Sequence, residues 1–565
     1  MATVAETPAA VAQPKKPGWR RLIAALGHRK TGFMLLFGFA SGLPYSLLLG
    51  TLYAWLTAEQ VDLETMGVFS LIGLAYAFQF LWSPAVDRIN LPLLRRLGKR
   101  KQWIVTAQVL LGAILIALSL LSPIDSLGWF SLLAGIGAFA SATQDIVINA
   151  WRIDIADEEA TIDVLSSVNQ VGYRLAALTG GALALILAAR IGWPEVFALM
   201  GAILLGIGFL GLFAPDVAVT APTTAQQDEL LDMRRAGRLD PKIRNWALLT
   251  VGLLWGWALA TVGTFMVRSL TAVPELRPDP TKFTAIYGPL IVIATIVLPA
   301  LIAAWLVRLQ RLGSHALAHD APALSGWHHA SDHLYRALLL PLVEFIGRMG
   351  WALVLILGLV LTYRIADSIW GTFAYPFYLG ELKYTNDEVA FASKFFGVGA
   401  IVLGLALGGF LLTVIGRMAT LTLGALLSAV TNLLYADLAI GGFGLAGFSN
   451  AVGFTWLVEQ FGSDVRMAKL LLAVGGENLA IGIAGSAYIA WLSSIVARGY
   501  SAMQYALLAS LTLLVGTLGR GALGQMIEDR GYYDVFVLTT LIGLFAVVLC
   551  VLEWIRESRY GPASG

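Results

Sequence analysis

Four polar residues interrupt a long apolar segment of the chain at a spacing that could serve transport chemistry. Ser141, Asp145, Asn149 and Arg152 follow one another at i, i+4, i+8 and i+11, so they share one helical face. A charge at the centre of a membrane helix costs roughly 2.5 to 3.5 kcal/mol, and ionisable groups there usually line a polar pathway. The stripe therefore predicts the wall of a substrate or ion pathway, although Asp145 and Arg152 could also form an ion pair at the helix end.

A second stripe follows in the next apolar segment. Ser167, Gln170 and Arg174 lie on one helical face there. Arg174 is about eight residues past the start of this segment, which is roughly 12 Å along a helix and close to the middle of a bilayer core of roughly 30 Å. The polar residues of the two stripes that we predict to bind substrate are Gln144, Asn149, Gln170 and Arg174.

The C-terminal part of the chain carries its own intramembrane charges. Arg364 and Asp367 lie one helical turn apart and could be either functional or a neutralising pair. Lys394 lies near the end of its segment and could extend to the membrane interface. Glu477, followed by Asn478, has no cation nearby on its own helix, and a buried carboxylate in that position tends to bind a proton. We therefore expect Glu477 to have a functional role.

The composition is that of an integral membrane protein. The chain is 58% hydrophobic and 13% charged, whereas soluble domains carry about 25% charged residues. A net charge of +2 and the lone Cys550 give no reason to expect a nucleic-acid partner or a disulfide. Nothing matches GxxxxGK[ST], so ATP-driven pumping is not expected. Five histidines cluster between His315 and His333, and because proline and glycine lie among them, we predict a solvated loop, with no metal site and no cofactor.

Hydropathy predicts fourteen membrane-spanning helices, each about 20 residues long. Basic residues fall on one side of this arrangement, so the positive-inside rule predicts that both termini are cytoplasmic. The apolar segment 441–462 would reverse that parity if it crossed the membrane, so we expect an interfacial helix there. The predicted spans are 31–57, 65–86, 102–122, 128–150, 166–188, 193–213, 245–266, 284–306, 350–379, 389–412, 418–438, 467–493, 503–526 and 534–554.

An internal repeat divides the chain into two six-helix bundles. ASGLPYSLLLGTLYAWL precedes Asp87 and Arg88, and ADSIWGTFAYPFYLGEL precedes Gly416 and Arg417 at a similar interval. The fold class is therefore all-α and polytopic, with two bundles around a central site and an inserted two-helix hairpin that has no partner in the repeat. The predicted segments are a tail 1–30, a bundle 31–215, a linker 216–244, the hairpin 245–308, a His-rich cytoplasmic loop 309–348, a bundle 349–555 and a tail 556–565.

Several motifs resemble the muropeptide permease branch of the major facilitator superfamily: FGFASGLPYSLLLGTLYAWL, SATQDIVINAWRID, VGYRL and SAMQYALLASL. The resemblance implies a major facilitator fold in the bacterial inner membrane. It also implies proton-driven import of anhydromuropeptides for cell-wall recycling by a monomer that contacts only substrate, protons and lipid. The loop motif of the superfamily is divided by an insertion here, and Ser83 stands at its usual glycine position. Its matching residues, which imply a gating loop, are Asp87, Arg88, Lys99 and Arg100.

For the mechanism, we expect alternating access around a central cavity. Arg174 and Arg364 would attract substrate carboxylates. Asp145, Asp367 or Glu477 would carry the proton. Aromatic residues could stack on sugar rings or simply pack between helices. The remaining substrate-binding candidates are Tyr45, Tyr53, Trp370, Lys394 and Asn478.

Other functions remain open at the level of sequence. A carrier of another anionic solute such as acetyl-CoA would also use arginines. A membrane-embedded enzyme of cell-wall or lipid metabolism is less favoured because the carboxylates are spread over both halves. A sensor that does not transport is less favoured because of the repeat.

Overall fold

The regular secondary structure is helical throughout the part of the chain that the structure describes. The structure is a computed structural model, and it describes residues 25–61, 72–92, 94–215, 240–271, 276, 278–311, 327–365 and 373–561. The helical fold class predicted from the sequence is confirmed.

The first half contains six helical segments, of which α1 and α5 include a π-helical stretch and α2 is broken between two short pieces. Their bounds are α1 Arg29–Ala58, α2 Ile72–Ala77 with Ser83–Arg88, α3 Lys101–Ser119, α4 Leu127–Ile155, α5 Ile162–Ile191 and α6 Trp193–Gly211.

The remaining helices comprise the insert and the second half. The insert contributes α7 Pro241–Thr271, α8 Pro280–Val292 continuing through Leu298–Arg311, α9 Trp327–Leu338 and α10 Leu340–Met349. The second half contributes α11 Ala352–Thr362, a π-helical turn Pro376–Glu381, α12 Asn386–Val414, α13 Arg417–Ala439, α14 Phe443–Ala451, α15 Phe454–Gln460, α16 Val465–Ser494, α17 Ser501–Arg530 and α18 Tyr532–Tyr560.

Eleven helices within the described ranges are long and apolar enough to cross a membrane, and up to twelve if the bent pair α10 and α11 forms one span. The predicted number of fourteen is therefore not confirmed. Of the three predicted spans beyond the eleven, 65–86 and 350–379 lie partly outside the described residues. The third, 503–526, falls within the 30-residue helix α17.

Glycines let the main helix pairs approach closely. In the first half α1 packs along α5 and α3 along α6; in the second, α12 packs along α16 and α13 along α18. Gly38 of α1 faces the backbone of Asn169, and Gly172 of α5 faces the backbone of Leu35. A side chain at either glycine would overlap the opposite helix, so small residues define this crossing.

The basic loops meet at one end of the helix bundle, which we call the basic end. Lys30 at the start of α1 pairs with Asp157 after α4, and Arg498 before α17 donates to the carbonyl of Ala156 at 3.0 Å. Arg417 at the start of α13 also reaches this end through Asp163. The prediction that these loops share one side agrees with this arrangement. Their assignment to the cytoplasm stays a prediction.

The inserted hairpin packs against the seam between α2 and α17. Nε1 of Trp255 in α7 donates to the carbonyl of Thr295 at 3.0 Å, which joins the two arms of the hairpin. The ring of Trp255 also contacts Phe80 edge-on, with 6.2 Å between centroids. On the far side of the seam, α8 packs against α17. The insert therefore touches both halves of the molecule.

The expected His-rich loop is helical from residue 327 to 349, which corrects the prediction for that part. Its helix α9 buries Tyr335 and Ser331, and Arg244 at the start of α7 binds Ser331 at 2.7 Å and Asp332 at 3.2 Å. These contacts with α7 explain why the segment folds although its sequence reads as polar. His315 and His319 lie outside the described residues. The chain then turns by 107° at Gly350 between α10 and α11.

Segment 441–462 forms two short helices, α14 and α15, separated by Gly453 with φ +74°. Their nine and seven residues are far fewer than the roughly 20 needed to cross a bilayer. The expectation that this segment does not span is confirmed. Phe443 and Phe461 are 79% and 84% exposed, so the pair presents an apolar surface. Its interfacial position stays a prediction.

Candidate transport pathway and gate

In the first half, Asp145 and Gln144 of α4 contact α1. Oγ of Ser41 donates to Oδ1 of Asp145 at 2.7 Å, and Nε2 of Gln144 donates to the carbonyl of Ala40 at 2.5 Å. Asn149, one turn after Asp145, is also buried. Within the described ranges no direct salt bridge joins Asp145 to Arg152, whose Nη2 donates to Ser493, so the structure does not support the ion-pair alternative. Asp145 is held by a hydroxyl group instead.

Three tyrosines gather beside this carboxylate. The ring of Tyr45 contacts Tyr76 edge-on at 5.0 Å and Tyr173 at 6.0 Å between centroids. The hydroxyl of Tyr76 donates to Oγ of Ser141 at 2.7 Å. Tyr45 is 37% exposed, which leaves part of its ring open to a ligand. This cluster places aromatic faces next to Asp145.

The other predicted residues of the first half divide into two groups. Arg174, which follows Tyr173 directly, and Gln170, one turn earlier, are both half-buried. Both lie on helix α5, which also carries Tyr173 of the tyrosine cluster, and their role in substrate binding stays a prediction. Tyr53, about two turns beyond Tyr45, packs against the apolar core of the first half. The structure supports packing as the role of Tyr53.

Arg152 lies fully buried where the two halves meet. Its Nη2 donates to Oγ of Ser493 in α16 at 2.9 Å, and its guanidinium lies 5.1 Å from the ring centroid of Tyr505 in α17. Nε and Nη1 have no hydrogen-bond partner among the described residues. A buried cation with unused donors is costly, so this position has a strong preference for an anion or for separation of the halves.

In the second half, Glu477 has a partner that its own helix did not reveal. The hydroxyl of Tyr435 in α13 donates to Oε2 of Glu477, and the hydroxyls of Tyr435 and Tyr378 are 2.9 Å apart. Asn478 turns away from this group, because its Nδ2 donates to the carbonyl of Val474 at 2.8 Å on its own helix. Glu477 is thus the functional candidate of this pair.

The remaining candidates of the second half are separated. Nζ of Lys394 lies 5.7 Å from the ring centroid of Tyr375, and both side chains are exposed. Arg364 is half-buried against Gly485 of α16. Asp367 and Trp370 lie outside the described residues, so the predicted pair of Arg364 and Asp367 is untested.

The predicted gating loop forms a buried ionic cluster in spite of its insertion. Arg100 is fully buried and binds Asp87 at 2.8 Å and Asp154 at 2.7 Å. Across the gap between halves, its Nη2 binds Oγ of Ser501 at 2.7 Å, and the backbone N–H of Met503 donates to Asp87 at 3.0 Å. This cluster, which we call the first clamp, joins the first half to the start of α17.

Electrostatics stabilise the charge at the centre of the first clamp. Burial disfavours the charged guanidinium, but Asp154 and Asp87 outweigh that cost and raise the pKa of Arg100 above its ordinary value. The loop's other two residues lie at the periphery. Arg88 donates to the carbonyl of Arg336 in α9 at 2.9 Å, and Lys99 is exposed.

A second clamp occupies the equivalent place in the repeat. Nε of Arg417, the first residue of α13, binds Oδ1 of Asp163 at the start of α5 at 2.8 Å. The first clamp thus ties the first half to α17, and the second ties the second half to α5. Both lie at the basic end, so the two halves are closed against each other there.

The family model described as Major Facilitator Superfamily matches residues 33–319, which is more than half of the chain. The chain belongs to the major facilitator superfamily. Solved structures agree with this fold. This superfamily member is similar to the proton:xylose symporter XylE bound to 6-bromo-6-deoxy-D-glucose, with a TM-score of 0.53 at 12% identity over 96% of each chain. It is likewise similar to the human organic anion transporter MFSD10, with a TM-score of 0.50 at 14% identity over 92% of this chain and 99% of that one.

Curated relatives confirm the resemblance to the muropeptide permease branch. The superfamily member is 27% identical to the anhydromuropeptide permease of Escherichia coli K12 over 93% of this chain and 81% of that protein. It is 24% identical to a putative transporter, AmpG 4, of Rickettsia felis over 91% of this chain and 94% of that protein. The molecule is therefore a multi-pass membrane transporter and not an enzyme.

Sequence reasoning missed the residues of this transporter that act across helix contacts. Asp154 lies in the quoted motif SATQDIVINAWRID, and Ser501 and Tyr505 lie in SAMQYALLASL, but the motifs do not say which residues meet. Tyr435 lies in an unremarkable apolar span. Nothing in its local sequence indicates that its hydroxyl donates to Glu477.

Proposed function

We propose that this protein imports anhydromuropeptides, GlcNAc-anhydroMurNAc with or without peptide, by proton-coupled alternating access. The similarity to the Escherichia coli anhydromuropeptide permease over 93% of the chain supports the substrate class. The pair of clamps at one end of the bundle carries the mechanistic part of the proposal. A closed basic end is the geometry in which the opposite end of the central pathway would admit substrate.

The clamps explain how the two halves can rock. Arg100 of the first half binds the first turn of α17 in the second half. Arg417 of the second half binds the first turn of α5 in the first half. Opening the basic end must break both sets of contacts, and closing it restores them. Arg152 would then exchange Ser493 and Tyr505 for the anionic groups of a substrate that reaches the basic end.

Substrate recognition would use cations and aromatic faces together. Arg174 beside Tyr173, and Arg364 in the opposite half, would bind carboxylates of the lactyl or peptide groups. The exposed edge of Tyr45 would pack on a sugar ring. Among the more peripheral candidates, Lys394 with Tyr375 would meet substrate near the far end of the pathway.

Proton coupling would supply the driving force. A membrane potential of 100 mV contributes about 2.3 kcal/mol per elementary charge, which supports roughly fifty-fold accumulation for one proton per substrate. Glu477 and Asp145 each accept a hydrogen bond from a hydroxyl group of a neighbouring helix. Asp367 remains a third candidate from the sequence.

The positive-inside rule supports the orientation that we propose. The basic end would face the cytoplasm, with both termini there, and the protein would reside in the bacterial inner membrane as a monomer. The two bundles at 31–215 and 349–555 would be the moving units, and the hairpin 245–308 an accessory to them.

Uptake into proteoliposomes tests the proposal. Purified protein should accumulate labelled GlcNAc-anhydroMurNAc when an inward proton gradient is imposed, and a protonophore should abolish the accumulation. Acetyl-CoA, supplied separately, should not accumulate. Folded protein that transports acetyl-CoA but no muropeptide would instead support the competing anion carrier.

A further inference from the structure

A chain of three oxygen atoms connects the candidate proton carrier of the second half to the end of the bundle opposite the basic end. Oε2 of Glu477 in α16 accepts from the hydroxyl of Tyr435 in α13. The Tyr435 hydroxyl lies 2.9 Å from that of Tyr378, in the turn Pro376–Glu381. The three groups come from three different helical segments, so they meet only in the folded protein.

While Glu477 is ionised, its carboxylate can only accept, and proton count then gives the direction of the hydrogen bonds in this chain. A phenol hydroxyl has one hydrogen to donate, and that of Tyr435 is used on Glu477. The oxygen of Tyr435 must therefore accept from Tyr378. Both hydrogens then point toward the carboxylate, which is the arrangement required to deliver a proton to it.

The row of three oxygen atoms also runs in a definite direction through the second half. Tyr378 lies within one turn of Glu381, where its helical segment ends, and its carbonyl accepts from the backbone N–H of Tyr384 at 2.9 Å. The hydroxyl of Tyr384 binds the carbonyl of Arg466 at the start of α16. Glu477 is twelve residues beyond Val465, or about 18 Å along that helix. The path runs from the end of the bundle toward its middle.

Aromatic rings flank the two tyrosines of this path. Tyr378 and Tyr435 are 4% and 0% exposed, and the rings of Phe377 and Phe536 pack against Tyr435. Among the described contacts of nearby cations, Lys394 lies over Tyr375, Arg466 donates to the carbonyls of Leu382 and Lys383 before α12, and Lys469 donates to the carbonyl of Gly441 after α13.

We propose that Tyr378 and Tyr435 form a hydroxyl relay that carries protons to Glu477 from the end opposite the basic end. The inference rests on the proposed proton-coupled function. A proton from water binds to the oxygen of Tyr378 as the hydroxyl hydrogen of Tyr378 passes to Tyr435 and that of Tyr435 passes to Glu477. One proton enters, the carboxylate becomes a carboxylic acid, and both tyrosines end as neutral phenols.

The relay is tested with single hydroxyl deletions. Tyr435→Phe and Tyr378→Phe keep the rings but break the path, so gradient-driven uptake should be at least about tenfold slower, since positioned proton transfer contributes on the order of a hundredfold or more. Exchange of labelled for unlabelled substrate across the membrane, which needs no net proton movement, should keep its wild-type rate. Tyr532→Phe is the matched control, because Tyr532 packs against the same Phe377 ring outside the relay.

Glu477→Gln separates the failure of the relay from the failure of the proposed coupling. If this variant loses driven uptake while Tyr435→Phe and Tyr378→Phe retain it, the relay is overturned and the coupling stands. If Glu477→Gln retains driven uptake, the relay is overturned, while the coupling stands and passes to Asp145 or Asp367. If wild-type protein accumulates nothing, both are overturned. Loss of exchange together with driven uptake in the tyrosine variants would indicate a structural role and would also overturn the relay.

Discussion

At the scale of single residues, Arg100 is a closely held side chain at the end of the first-half bundle. It is fully buried and shared by two carboxylates and a hydroxyl. Removing one member of such a cluster leaves the opposite charges buried without compensation, which costs more than the intact cluster contributes to stability. The same logic makes Arg152 unusual, since its guanidinium is equally buried but lacks a carboxylate partner among the described residues.

Arg100→Ala should lower the free energy of unfolding by about 3 to 5 kcal/mol, because Asp87 and Asp154 would lose their bound cation. Thermal unfolding in detergent measures this loss. Arg95→Ala, which removes an exposed arginine of the same loop, should change stability by no more than about 0.5 kcal/mol. Equal melting temperatures for the two variants would contradict the buried-cluster interpretation.

At the scale of helices, the crossing of α1 and α5 depends on the absence of side chains. Gly38 and Gly172 each face the backbone of the opposite helix. The close approach also holds Ser41 of α1 in range of Asp145. Packing that is this tight transmits a small displacement of one helix to the polar groups beside it.

Gly38→Ala should therefore destabilise the protein by about 1 to 3 kcal/mol, as expected for an overpacked contact. It should also reduce uptake, because the added methyl group moves α1 away from α5. Gly32→Ala is the matched control in the same helix, since a methyl group there meets nothing within 4 Å. Thermal unfolding and initial uptake rates of the two variants should differ, and equal values would refute the contact.

The sequence predicted helices and helix faces well, because hydropathy and i, i+4 spacing are local properties. Asp145 was expected on a polar face, and the structure gives it a hydroxyl partner in Ser41 of a neighbouring helix. Partners across helices could not be predicted, since nothing local relates Arg100 to Ser501, which is 401 residues away. Helix α9 was missed for the same reason, because its stability depends on Arg244 of another segment.

At the scale of the whole molecule, the two clamps occupy equivalent places in the internal repeat, and each joins one half to the other. Each closes the basic end by binding the first turn of a helix, α17 or α5. Because both must open together, their combined strength sets the balance between the two orientations of the pathway. An ion pair with a charge-assisted hydrogen bond contributes about 1.5 to 3 kcal/mol, so losing one should shift that balance about tenfold or more.

Asp163→Arg should open the basic end, since it places a like charge against Arg417. Spin labels introduced by Arg96→Cys and Arg559→Cys in a Cys550→Ser background would report the distance between halves by electron resonance. The single variant should populate longer distances. The exchanged pair Asp163→Arg with Arg417→Asp should restore the wild-type distribution. Identical distributions in all three proteins would show that this ion pair does not control the opening.

The insert covers one of the two seams between the halves, so the outer surfaces of the transporter differ at the two seams. On one side, Trp255 and the rest of the hairpin cover the seam between α2 and α17. On the other, α1, α5 and α12 enclose an apolar cavity of about 350 Å³ lined by Leu35, Val168 and Phe410. In the bilayer that we propose, lipid tails would meet a protein wall at one seam and an apolar cavity at the other, so the lipid contacts of this carrier would differ between its two flanks.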